Sequence, residues 1–234
     1  MMENITLPIS PITTAIRRMA RFTSNSTWTA PAGVTSVYIT GVGGGGGGGG
    51  TNNSLLNRGG GGGSGGWSIK TPITVVPETK YTITIGVGGT GALNLATSAT
   101  DGTSSSVGSV WIANGGGAGG TTNANSAFIL GAPGMPSTGT NRGFQFSYGG
   151  ATITESVGYP EIISYSNVDD ASPNFIFISS GANSLFGSGG ITLYGDTSGE
   201  NASGYGAGGS GGNFISSGFN IGGNGSSGLI IIEW

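Results

Sequence analysis

VTSVYITGVGGGGGGGG, residues Val34 to Gly50, runs from a strand-like segment straight into eight consecutive glycines, Gly43 to Gly50. Five more glycines, Gly59 to Gly63, follow a short apolar insert. Glycine has no Cβ, so backbones can approach more closely than any other residue allows, and polyproline-II-like helices of about three residues per turn can pack side by side. Such helices make no internal hydrogen bonds, so each N–H and C=O must find a partner on a neighbouring segment. Ordering backbone costs roughly 1–2 kcal/mol per residue, with glycine at the upper end, while a net hydrogen bond returns only about 0.5–1.5 kcal/mol. A lone glycine run therefore stays loose, and an element with an apolar core has to hold its ends in register.

Composition sets the class. The chain has 234 residues, of which 52 are glycine and 9 proline, a content that by itself suggests low-complexity disorder. Only 7% of the residues are charged, however, and 35% are hydrophobic, with four Trp and nine Phe, which is the composition of a folded chain. The net charge of −3 and the mere seven Lys and Arg, three of them clustered at Arg17, Arg18 and Arg21, remove the electrostatic footprint of a nucleic-acid binder. With no cysteine there is no disulfide and no thiolate metal site. The first twenty residues lack the basic and apolar regions of a signal peptide, and no stretch is long enough to span a bilayer. The expectation is a protein without cofactors, not inserted in a membrane, and not exported by a signal peptide; release within an assembled virus particle is one route out of the cell.

Residues 1 to 21 stand apart by containing no glycine. Ile5, Leu7 and Ile9 alternate around Pro8 and Pro11, and Ile12, Ile16 and Met19 then fall at helical spacing, which predicts an extended stretch and a short helix beginning at Thr13 or Thr14. Arg17, Arg18 and Arg21 near its end suit the helix dipole. Two readings stand for this leader: docking onto another protein, or packing against the chain's own body. From Phe22 the pattern is β. Val37 and Ile39 alternate against Tyr38 and Thr40, and Tyr81, Ile83 and Ile85 face one way. Further strands are expected at Trp67 to Ile69, at Ile73 to Val75 between Pro72 and Pro77 (short, or at an edge), and over Val107 to Ile112. The closing run, Leu229 to Trp234, suits a buried strand that returns to the N-terminal sheet and clamps both ends of the glycine section. Between Asn114 and Gly228, glycine-rich pieces alternate with aromatic inserts, and glycines at 206, 209, 212 and 218 hold a broken three-residue register without a collagen period.

Catalytic motifs find no support. Gly86, Gly88 and Gly91 match a dinucleotide fingerprint, but neither a helix nor an acidic residue about twenty positions on follows. Ser64 and Ser210 each sit in a G-x-S-x-G string, yet the chain has no histidine to serve as base. Asp169 with Asp170, and Glu155 with Glu161, are the remaining carboxylate pairs, and acidic loop residues are more often simply solvated. The chain reads as non-enzymatic, with no metal site. The inserts point instead to binding, because aromatic residues on loops held by a rigid scaffold supply large contact area at low entropic cost. The candidates are Leu55, Leu56, Phe128, Ile129, Met135, Phe144, Tyr165, Asp169, Asp170, Leu185 and Phe186, with Ile5, Leu7, Ile9, Ile12, Ile16 and Met19 as the attachment segment. The blander alternative makes Phe144 to Tyr148 and Phe175 to Ile178 small strands with a satellite core.

Phe22 to Val37, reading FTSNSTWTAPAGVTSV and followed by a strand and a glycine run, resembles the opening of a glycine-rich domain family common in phage tail-fibre and receptor-binding proteins. Gly65-Gly66-Trp67, Val75-Val76-Pro77, Tyr81 to Gly86, Gly102 to Gly108 and Gly228 to Trp234 are similar to that family's later segments. The alternation of glycine tracts with inserts is also similar in architecture to the tip adhesins of T-even-type phages. That likeness implies packed polyglycine helices whose loops contact bacterial outer-membrane receptors, and an N-terminal segment that attaches to a fibre.

The expected fold is all-β with a non-regular glycine-rich part: an antiparallel β-sandwich-like clamp plus packed polyglycine-II helices. Residues 1–21 form the attachment segment. Residues 22–113 form the β-rich domain, interrupted by glycine runs over 43–66 and completed by strand 229–234. Residues 114–228 carry the polyglycine-II section and its insert loops. The expected function is that of a phage tail-fibre tip adhesin, partnered by a tail-fibre protein and by a bacterial surface receptor, either an outer-membrane protein or lipopolysaccharide, and located in the virion at the fibre tip. Alternatives are a structural virion or cell-surface fibre component without a receptor role, and an ice-binding glycine-helix protein, against which the bulky inserts speak.

Overall fold

The computed structural model describes residues 18–51, 59–93, 97–120, 145–148, 151–154, 180–191, 197–213 and 219–234. Among these there is no helix. The strands are β1 (Met19–Phe22), β2 (Ser26–Thr29), β3 (Ser36–Val42), β4 (Trp67–Thr74), β5 (Lys80–Thr84), β6 (Ser105–Val107), β7 (Trp111–Ala113), β8 (Gln145–Tyr148), β9 (Ala151–Thr154) and β10 (Leu229–Glu233). They form two four-stranded antiparallel sheets, ordered β1-β10-β3-β4 and β2-β5-β6-β7, and the hairpin β8-β9.

Alternation builds the sandwich. Val37 and Ile39 of β3, Ile230 and Ile232 of β10, Ile83 of β5, and Val107 and Trp111 of the second sheet join Trp28, Val75 and Ile85 in one apolar core. Trp111 lies fully buried, its indole N–H donating to Ser68 Oγ at 3.0 Å. Gly41 makes room for it, since a Cβ there would lie 2.6 Å from Trp111 Cη2. The C-terminal strand returns as expected, between β1 and β3.

Three expectations are corrected. Met19 and Arg21 do not end a helix: they belong to β1, whose residues Met19 to Phe22 pair with Glu233 to Ile230, with Ala20 and Phe22 packed on the core. Tertiary pairing outweighs a helical spacing carried by very few residues. The single strand expected over Val107 to Ile112 is instead a hairpin that turns through Gly108, at φ 48°, so β6 and β7 are separate strands. The two pieces around Pro72 are one strand, β4, at the sheet edge where a missing N–H is tolerated.

Beyond the sandwich the glycine segments bond to one another with a three-residue period. Gly43, Gly46 and Gly49 donate to Gly66, Gly63 and Gly60; Gly44 and Gly47 to Thr103 and Thr100; Gly45, Gly48 and Thr51 to Ser226, Gly223 and Asn220. In the other sense, Gly116 and Gly119 donate to Gly44 and Gly47, Gly89 and Ala92 to Gly45 and Gly48, and Gly209 and Gly212 to Gly46 and Gly49. Segment 43–51 is thus surrounded by six neighbours, three antiparallel and three parallel, and bonds to them with a period of three residues.

The same bonding pattern joins ten segments among the described residues: g1 (43–51), g2 (59–66), g3 (86–93), g4 (97–103), g5 (114–120), g6 (180–184), g7 (187–191), g8 (197–203), g9 (205–213) and g10 (219–228). They stack in four rows, g4-g3, g5-g1-g10, g2-g9-g8 and g6-g7. Six of them continue sandwich strands directly: g1 leaves β3, g3 follows β5 and g5 follows β7, while g2 feeds β4, g4 feeds β6 and g10 feeds β10. Segments g3 and g4 come from the span read as the β-rich domain, so the lattice reaches further into 22–113 than its glycine content suggests. Close approach explains the residue choice. A Cβ on any of Gly44 to Gly49 would collide with a neighbouring carbonyl, those of Val87, Ala207, Gly117, Thr90, Ser210 and Gly120 in turn.

Candidate functional site

Register fixes a direction for every segment. Those with odd labels run away from the sandwich and those with even labels return to it. Every even-to-odd connection therefore lies beside the sandwich: β4 and β5, β6 and β7, the turn at Leu185 and Phe186, and Gly204 at φ 72°. Each odd-to-even connection leaves and re-enters at the far end, from Thr51 to Gly59, Leu93 to Thr97, Gly120 to Ser180, Ile191 to Thr197 and Asn213 to Phe219. At about 3.1 Å per residue, g1 carries that end about 25 Å from the end of β3.

Polar side chains hold the roots of these crossings. Thr51, fully buried, donates its N–H to the Asn220 carbonyl at 3.0 Å and accepts the Asn220 N–H on Oγ1 at 3.2 Å. Asn220 Nδ2 donates to the Asn213 carbonyl, and Asn213 exchanges backbone bonds with Thr197 at 2.9 and 3.1 Å. The exits of g1 and g9 and the entries of g8 and g10 are thereby tied into one network. Across the g3–g4 crossing, Leu93 N–H donates to Thr97 Oγ1 at 2.9 Å. Leu93, Ile191, Phe219 and Ile221 expose their side chains around this end. The described cations, Arg18, Arg21, Lys70 and Lys80, all lie on the sandwich, and the lattice carries only Asp101 and Glu200 as described charges.

Of the residues singled out from sequence, Leu55, Leu56, Phe128, Ile129, Met135, Phe144, Tyr165, Asp169, Asp170, Ile5, Leu7, Ile9, Ile12 and Ile16 lie outside the described residues, as does Phe175 to Ile178. Leu185 and Phe186 are described, and they sit at the sandwich end, because Phe186 bridges Tyr205 and Ser184 bridges Gly187. They are therefore separated from the far-end crossings, although Leu185 is exposed. Met19 is exposed on β1. Residues Gln145 to Tyr148 form β8, in keeping with the small-strand reading. Sequence reasoning missed Thr51, Leu93, Asn213, Phe219 and Ile221, whose signal was their place at the margins of glycine tracts.

Ser210, in one of the G-x-S-x-G strings, commits its hydroxyl to backbone, accepting the Glu200 N–H at 2.8 Å and donating to the Ile191 carbonyl at 3.1 Å. Ser64 is buried in the lattice. Among the described residues no cluster of His, Cys, Asp and Glu could hold a metal ion, and no helix is long and apolar enough to cross a membrane. No characterised protein among the curated sequences matches the chain. A family model for the glycine-rich domain matches residues 21–234, so the chain belongs to the glycine-rich domain family.

Proposed function

We propose that the protein is a phage tail-fibre tip adhesin in which residues 1–21 attach to a fibre, the sandwich clamps a polyglycine-helix scaffold, and inserts at the far end recognise a bacterial outer-membrane receptor. Met19 to Arg21, built into β1, join that attachment segment to the sandwich. One observation supports the reading most: all five odd-to-even crossings among the described segments open at the end opposite the sandwich. Such a topology puts the ends of the insert-bearing connections at one end of the lattice and the framework connections at the other.

Cell adsorption by insert variants tests this. Leu55→Ser with Leu56→Ser, and Phe128→Ser with Ile129→Ser, are expected to weaken adsorption. Leu185→Ser with Phe186→Ser, at the sandwich end, is expected to adsorb normally. Folded insert variants that all adsorb like the parent overturn the proposal, and a protein that joins fibres without ever binding cells is the structural component instead.

A further inference from the structure

Along the g3–g4 edge, outward-facing backbone meets a ladder of threonines. Val87 N–H donates to Thr103 Oγ1 at 2.7 Å, Thr90 N–H to Thr100 Oγ1 at 2.8 Å and Leu93 N–H to Thr97 Oγ1 at 2.9 Å. In return the Thr103 and Thr100 N–H groups donate to the Val87 and Thr90 carbonyls, each at 2.9 Å. Val87 is 67% and Leu93 65% exposed, so this edge lies where the lattice meets water.

Other edges are closed the same way. Asp101 Oδ1 accepts the Ala118 N–H at 2.7 Å, Asn183 Oδ1 the Gly189 N–H at 2.7 Å, Asn201 Oδ1 the Asn224 N–H at 2.7 Å and Asn224 Oδ1 the Gly91 N–H at 2.8 Å. A row of bare N–H groups repeating every three residues matches the interior spacing of the lattice and would template one more segment, as an open sheet edge templates a strand. The capped N–H groups instead meet a side-chain oxygen of the same chain.

We infer that these side chains form a capping perimeter that stops the lattice from adding glycine segments of a second copy of this chain. The far end is then presented by a discrete unit and not by a laterally growing slab. Threonine suits the role because its hydroxyl oxygen accepts a backbone N–H that would otherwise be free to pair with a further segment. This inference does not rest on the receptor reading.

Thr→Val keeps the shape and removes the acceptor, whereas Thr→Ser keeps the acceptor. In the full chain, Thr97→Val/Thr100→Val/Thr103→Val is expected to self-associate, its sedimentation coefficient rising with concentration, while Thr97→Ser/Thr100→Ser/Thr103→Ser sediments as the parent does. A folded valine variant that sediments like the parent at every concentration overturns the inference. Amide exchange in the unaltered protein gives a reading that does not depend on the variant folding. The Val87, Thr90 and Leu93 amides are expected to exchange at least about tenfold slower than free amides despite their surface position. Exchange at the free rate overturns the capping perimeter.

Discussion

Ser105 Oγ donates to the Val42 carbonyl oxygen at 2.8 Å and accepts the Gly86 N–H at 2.9 Å, so one buried hydroxyl joins the last residue of β3 to the first of g3. Gly228, the last residue of g10, packs against the same oxygen closely enough that a Cβ there would collide with it. Three strand-to-lattice transitions thus converge on a side chain that is itself fully buried. This is the seam at which a period of two becomes a period of three.

Ser105→Ala is expected to destabilise the protein by about 1–3 kcal/mol, because the buried Gly86 N–H loses its acceptor. Urea denaturation at unchanged m-value measures it. A loss below about 0.5 kcal/mol would mean that the seam is held by its backbone alone.

Glycine is not equally required along the central run. At Gly46 a Cβ would meet the Gly117 carbonyl, and backbone cannot rotate aside; at Gly50 the nearest atoms are Ala92 Cβ at 3.2 Å and the Asn220 oxygen at 3.3 Å. Gly46→Ala is expected to cost at least about 3 kcal/mol, the upper end of overpacking penalties, and Gly50→Ala no more than about 1 kcal/mol. Thermal unfolding of the two variants side by side checks the contrast. Equal losses would remove close backbone approach as the reason for the run.

Much of this architecture was legible in residues 34 to 50 and 229 to 234, because alternation and apolar runs report burial directly. The strand at Val37 to Val42, the return of Leu229 to Glu233 and the three-residue register of Gly206, Gly209 and Gly212 all follow from such local patterns. Direction was not legible. Nothing local to Leu185 and Phe186 says that they turn beside the sandwich, since the pairing that places them there joins Phe186 to Tyr205 and depends on how g6 to g9 alternate. Met19 misled for a related reason: a few apolar residues at helical spacing cannot reveal that Ile230 to Glu233, at the other end of the chain, will pair with them. Thr51, Asn213 and Asn220 escaped notice because polar residues beside glycine look like ordinary loop, and only the packed segments show them stapling the crossings.

The turn from g8 to g9 is anchored to the sandwich by one side-chain pair. Arg21 Nη2 donates to Tyr205 Oη at 2.7 Å, and its guanidinium carbon lies 5.2 Å from the ring centre. Tyr205→Phe keeps the ring and removes the acceptor, with an expected cost of about 0.5–1 kcal/mol; Arg21→Ala removes both contacts at about 1–1.5 kcal/mol. A double-mutant cycle is expected to return a coupling near 1 kcal/mol. Strictly additive losses would show that the two residues stabilise the turn separately.

The largest crossing tests whether framework and display are separable. Gly120 accepts the Gly60 N–H at 2.8 Å, and a Cβ on Gly61 would meet the Ser180 carbonyl, so the stems of residues 121–179 flank the single segment g2. A Gly-Ser linker of about six residues can cross that gap at roughly 3.3 Å per residue. Each halving of a loop relieves about 0.6 kcal/mol of closure entropy, so replacing 121–179 by the linker is expected to leave stability equal or higher by up to about 2 kcal/mol. Adsorption should fall at the same time if these residues meet the receptor. A variant that loses more than about 2 kcal/mol, measured by denaturation, would make the replaced residues part of the framework and not its cargo.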